Sequence, residues 1–171
     1  GREEDAVRFL AGRLRSDADP GVRAEAAVQL GRKGSEAAVE PLQAALADKD
    51  WSVAACAAVS LGKTQSGSAV EPLAKLAREA ADWKIRGAAV AGLSQLYLKS
   101  AIPAVIPAVG DADPCVSRTA QAWLVNVSRE NLPQKVEAWN EWWTKSSERV
   151  LLVDPETEKA MKKRFGDPGT A

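Results

Sequence analysis

The chain has 171 residues, enough for one domain with a sizeable core, and its 23 Lys and Arg balance 23 Asp and Glu. That neutrality argues against a nucleic-acid or membrane-surface role, which usually leaves a basic excess, and no apolar run approaches the roughly 18 residues that span a bilayer. Histidine is absent, which removes the usual general base, the Ser-His and Cys-His nucleophile pairs and most transition-metal chemistry.

In chain order, residues 4–15 read as a helix with Val7, Leu10 and Leu14 on one face. Its Ala6-Val-Arg-Phe-Leu10 matches Ala38-Val-Glu-Pro-Leu42 and Ala69-Val-Glu-Pro-Leu73, so it reads as the second helix of a partial copy over 4–16. Asp19-Pro-Gly-Val-Arg23 then opens a unit that returns from Asp50, Asp82 and Asp113, at spacings of 31, 32 and 31. Self-similarity at such a period marks a repeat architecture. Four copies are assigned, 17–47, 48–80, 81–110 and 111–147, within one domain over 1–171.

Each copy is expected to hold two helices. In the first, the aspartate caps the N-terminus, and Pro20 follows where its missing N–H costs nothing. Stripes such as Val22, Ala26, Leu30 and Val53, Ala57, Leu61 recur as Ile85, Ala89, Leu93 and Val116, Ala120, Leu124. Gly31, Gly62 and the Gly34 region are expected to end the helix or permit a turn. The second helices carry Val39, Leu42, Ala45, Leu46 and Val70, Leu73, Leu76, Ala77, with Ser68 and Glu71 at capping-box spacing. Pro107, a turn deeper than Pro103, predicts an irregular element over 101–109. In the fourth copy Trp123 takes the slot of Gln29, Ser60 and Gly92, and Trp139, Trp142 and Trp143 fall on one helical face. A tail over 148–171 is expected to hold a short helix from about 155 to 165 carrying Met161 and Phe165.

The recurring Asp-Pro-x-Val-Arg-x-x-Ala-x-x-x-Leu-Gly and Ala-Val-x-Pro-Leu resemble the short HEAT repeat, in particular the variety found in bilin-lyase-type HEAT-like proteins. Trp139-Asn-Glu-Trp-Trp143 resembles the ending of many bacterial HEAT-repeat domains. The resemblance implies an all-α fold, a right-handed α-solenoid of about four helix pairs with extra terminal helices, acting as a protein-binding scaffold. It also implies an Asp–Arg ladder between copies. Arg23 and Arg86 match its arginine, but Ala54 and Ser117 do not, so any ladder is interrupted, and exposed rungs would contribute little.

These readings describe a non-catalytic adaptor that binds a protein partner, without catalytic residues, cofactor or metal, and a monomer. The candidate partner-binding residues are Glu40, Gln43, Glu71 and Lys75 on the second helices. To these are added Trp51 and Trp83, which stand where Pro20 and Pro114 begin their helices. For that pair, covering of the seam between copies is the favoured reading and an aromatic anchor the alternative. The three tryptophans near the end are expected to cap the solenoid's last apolar face. A DNA or polyanion binder using Arg23, Arg32, Lys33 and Arg86 is a second functional reading, and a lyase-like accessory protein with a deep apolar pocket a third. Cys56 and Cys115 lie in different copies and read as free thiols; two cysteines without histidine leave too few soft ligands for a closed zinc site. The lone Gly1 is compatible with removal of a preceding leader, which leaves the compartment open.

Overall fold

Four aspartates start four helices. Asp19, Asp50, Asp82 and Asp113 each accept a hydrogen bond from the amide two residues on, at 2.7, 2.9, 2.9 and 2.8 Å. Each carboxylate thereby satisfies a donor that a helix start leaves unpaired. The chain's structure, a computed structural model, is described over residues 1–150, and among these residues nine α-helices occur and no strand. They are α1 (Arg2–Ser16), α2 (Pro20–Lys33), α3 (Val39–Ala45), α4 (Trp51–Lys63), α5 (Val70–Glu79), α6 (Trp83–Gln95), α7 (Ala101–Val105), α8 (Pro114–Ser128) and α9 (Val136–Ser146). The short helix expected over 155–165, with Met161 and Phe165, lies outside the described residues.

The helices form two layers. The first helices α2, α4, α6 and α8 stack side by side, and α1, α3, α5 and α7 pack along the other side. Between the layers run the stripes seen in the sequence: Ala26, Leu30, Val53, Ala57, Leu61, Ala89, Leu93, Val116, Ala120 and Leu124 are buried. Val22 and Ile85, at the outer ends of their stripes, are half-buried. Leu42, Leu73, Ile102 and Ile106 close the core from the second layer.

The glycines expected to end the first helices do something else. Gly31 and Gly62 lie inside α2 and α4, and their helices run on to Lys33 and Lys63. A Cβ on Gly31 would lie 2.6 Å from Cβ of Ser60, and one on Gly62 would fall on the carbonyl oxygen of Gly92. These glycines let successive first helices touch backbone to backbone. Gly34 is the true terminator of α2, in the left-handed region at φ 59°. The equivalent positions Gln65 and Tyr97 adopt the same region at φ 57° and 51° without being glycine, as does Arg129 at φ 61°, one residue further along its copy.

The second layer is looser, and α3 and α5 scarcely meet. The tight pattern relaxes at the end: where α4 has Ser60 and α6 has Gly92, α8 has Trp123, a ring too large for a glycine-tight contact. Accordingly α6 and α8 meet less extensively than α4 and α6. The indole N–H of Trp123 is buried without a hydrogen-bond partner.

Two local expectations differ in outcome. The proline-rich stretch is irregular as expected: α7 ends at Val105, and a 3-10 turn over Ile106–Gly110 begins just before Pro107. The Ser68–Glu71 capping box does not form, because the chain turns earlier, in a 3-10 turn over Gly67–Ala69 whose N-cap is Ser66. At the far end, α9 packs on the Ile106–Gly110 turn. Trp139 is completely buried and donates its indole N–H to Gln121 Oε1 at 2.7 Å. Trp142 meets it edge to face at 5.6 Å between ring centres, so an amphipathic indole cluster covers this end of the core.

Candidate interaction surface

Two arginines tie the layers across successive copies. Arg23 donates through Nε and Nη2 to both carboxylate oxygens of Asp48 at 2.8 Å each, and through Nη1 to the carbonyls of Asp17 and Ala18. Arg86 repeats the arrangement with Asp111 and the carbonyls of Ala80 and Ala81. The expected ladder therefore exists, but its carboxylates are Asp48 and Asp111 of the following copy, not the capping Asp19 and Asp82. Nor are its rungs exposed, since both partners of each pair are largely shielded. Hydrogen bonding from Arg23 and Arg86 holds the Asp48 and Asp111 carboxyls below their ordinary range, against the opposing effect of burial. Between the second and third copies both members are missing together, with Ala54 in place of the arginine and Ala80 in place of the aspartate.

This pairing removes Arg23 and Arg86 from the group expected to meet a polyanion. Each guanidinium is spent on a carboxylate and two carbonyls, and only Arg32 and Lys33 of that group stand exposed.

The residues expected to meet a protein partner separate into two places. Glu40, Glu71 and Lys75 are exposed on α3 and α5. Gln43 is half-buried and donates to the carbonyl of Ser68 at 3.0 Å, which ties α3 to the following copy. Glu71 faces Arg78 at 3.5 Å. Trp51 and Trp83 lie instead on the edge formed by the first-helix N-termini, as the first residues of α4 and α6. Trp51 and Trp83 are 47% and 42% exposed, so each keeps a large part of its surface open to solvent. Lys84 crosses from the next copy and places its ammonium 4.3 Å from the centre of the Trp51 ring.

Sequence reasoning missed Lys84, although its position beside the capping Asp82 and one copy beyond Trp51 was the available signal. It also missed two matching grooves. One, of about 160 Å³, lies between α1 and α3 and is lined by Leu14, Arg15, Pro41 and Asp48. The other, of about 240 Å³, lies between α5 and α7 and is lined by Ala77, Arg78, Ala104 and Asp111. Arg15 and Arg78 hold equivalent places two copies apart, as do Asp48 and Asp111, so each groove sits against a rung.

The two-layer stack, the capping aspartates and the inter-copy rungs meet an independent observation: a family model described as HEAT repeats matches residues 7–94, about half of the chain. The chain belongs to the HEAT-repeat family. No curated protein matches it. HEAT repeats are commonly protein-interaction scaffolds and generally non-catalytic, and the fold here is an all-α solenoid of that kind. The match ends inside α6, and α8 and α9 continue the helical packing beyond the matched stretch. Both cysteines are free; Cys56 is half-buried, and burial, aided by the charge of Glu25, pushes its thiol above the ordinary value. No helix among the described residues is long and apolar enough to cross a membrane.

Proposed function

We propose that this protein is a non-catalytic interaction scaffold that docks a protein partner along the edge carrying Trp51 and Trp83, with no cofactor and as a monomer. The observation that carries this reading is the exposure of two large aromatic rings at equivalent positions of adjacent HEAT copies. Aromatic side chains dominate the energetics of protein interfaces because each covers much area at little cost in side-chain freedom. A rigid stack holds the pair at a constant separation, as a bidentate anchor needs. Glu40, Glu71 and Lys75 offer a polar face on the second layer, which suits the periphery of an interface more than its centre. A polyanion reading loses support because Arg23 and Arg86 are committed internally. A lyase-like reading asks for a deep apolar pocket, whereas the two rung grooves are small, open and lined in part by charged side chains.

The test is affinity capture from the native source with the wild type and with Trp51→Ala/Trp83→Ala, whose folding is matched by circular dichroism. Proteins retained by the wild type and lost by the double variant support the proposal. Identical retention by both would remove it.

A further inference from the structure

Four loops lead into α2, α4, α6 and α8, and the residues just before their capping aspartates are Ala18, Lys49, Ala81 and Ala112. Arg23 fastens the first loop to the second, through the carbonyls of Asp17 and Ala18 and the carboxylate of Asp48. Arg86 fastens the third to the fourth in the same way, through Ala80, Ala81 and Asp111. Between the second and third loops, Ala54 and Ala80 provide no such clamp. The third loop is also less closed on itself. The amides of Asp19, Asp50 and Asp113 donate to Oδ1 of Asp17, Asp48 and Asp111 at 3.0, 2.9 and 2.8 Å, and Ala80 offers Asp82 no equivalent acceptor. In the second layer α1 meets α3 and α5 meets α7, whereas α3 and α5 scarcely meet.

The opposite edge of this junction is held firmly. Gly62 and Gly92 bring the C-terminal halves of α4 and α6 into backbone contact. Gln65 adds a hydrogen bond of 2.6 Å to the carbonyl of Gln95, and Gln43 one of 3.0 Å to that of Ser68. The helices α4 and α6 therefore have a fixed end and an unclamped end, and Trp51 and Trp83 begin the unclamped one. What spans it is Lys84, its ammonium 4.3 Å from the centre of the Trp51 ring. An exposed cation–π contact shifts an equilibrium only about two- to fivefold. Breaking a shielded bidentate ion pair costs far more.

We propose that this junction is a hinge and that Lys84 on Trp51 is its latch. Latched, the edge holds Trp51 and Trp83 at one separation. Released, α4 and α6 splay at their N-termini about the Gly62–Gly92 contact. The consequence for docking rests on the scaffold reading above: a partner group that replaces Lys84 on the ring shifts the edge toward the released form.

Nitroxide spin labels test this through dipolar broadening in continuous-wave spectra, in a Cys56→Ala/Cys115→Ser background. The labels sit on Ala18→Cys, Lys49→Cys, Ala81→Cys and Ala112→Cys, taken in adjacent pairs, and all four positions are exposed. Lys84→Ala is expected to lower the closed-to-open ratio of the 49/81 pair roughly two- to fivefold. The 18/49 and 81/112 pairs lie across rungs and should not change. Lys84→Arg keeps a stacked cation and should match the wild type. Lys84 is exposed, and it meets Asp82 through its backbone amide, so both variants leave the helix cap in place. An unchanged 49/81 spectrum in Lys84→Ala overturns the proposal, as do equal changes at all three pairs or a Lys84→Arg spectrum like that of Lys84→Ala. If Lys84→Ala opens the junction while protein capture does not depend on the tryptophans, the latch stands and the scaffold reading falls.

Discussion

Arg86 and Asp111 belong to different copies of the HEAT unit, 25 residues apart, and meet through two parallel hydrogen bonds of 2.7 and 2.9 Å. Their side chains are only 17% and 8% exposed. A bidentate pair of this kind, largely withdrawn from water, is worth more than a surface ion pair and leaves a costly remnant when one member is removed. Asp111→Ala is expected to destabilise the protein by about 2 kcal/mol, the range for hydrogen bonds to charged groups. A double-mutant cycle with Arg86→Ala, read from urea midpoints, should show coupling between the two sites; additive effects would remove the rung from the account.

The pair also sets a pH dependence. Arg86 lowers the Asp111 carboxyl below its ordinary value, so the folded state binds this proton less readily than the unfolded chain. The contribution is complete above the unfolded value of about 3.9 and is lost as pH falls through the lower folded value. Urea midpoints should therefore be flat from pH 7 to about 5 and decline below about 4, and Asp111→Asn should make that decline shallower.

The missing rung offers the converse experiment. Ala54 is buried where an arginine would sit, and Ala80 stands where its aspartate would be. Ala54→Arg alone places an unpaired charge in a shielded position and should lower the melting temperature by several degrees, on the order of 5 °C or more. Adding Ala80→Asp should restore most of the loss. A double variant no more stable than Ala54→Arg would show that the second and third copies lack the geometry for a rung.

Glycines separate contact from conformation. Gly62→Ala drives a methyl group into the backbone of Gly92 and should cost about 1–3 kcal/mol or more, as overpacking does. Gly12, in the middle of α1, has no atom within 4 Å of an added Cβ, and Gly12→Ala should gain about 0.5–1 kcal/mol through helix propensity. Tyr97 is 60% exposed at φ 51°, so Tyr97→Gly should gain about 0.5–1 kcal/mol by relieving a left-handed backbone. Thermal melts of the three variants give the signs directly.

What the sequence showed and what it hid divide along the distance of the interactions. The aspartate caps, the apolar stripes and the break near Pro107 depend on residues within a turn or two, and each was readable there. Gly31 and Gly62 were misread because a glycine ending a helix and one admitting a neighbouring helix look alike locally. What distinguishes them is Ser60 or Gly92, some thirty residues away. The rung shared this difficulty: Arg23 has a nearby Asp19, and nothing local reveals that Asp48 is its partner. Exposure of Trp51 and Trp83 was equally unreadable, since a ring at a helix start can fold inward or outward, and only the packed stack decides.

Cross-linking mass spectrometry in the native source, with a lysine-reactive reagent, tests the docking edge most directly. Lys49 and Lys84 lie on the Trp51–Trp83 edge, whereas Lys33, Lys63 and Lys99 lie at the opposite ends of the first helices. The scaffold account predicts partner cross-links at Lys49 and Lys84. Cross-links confined to Lys33, Lys63 and Lys99 would place the partner on the other edge and contradict it.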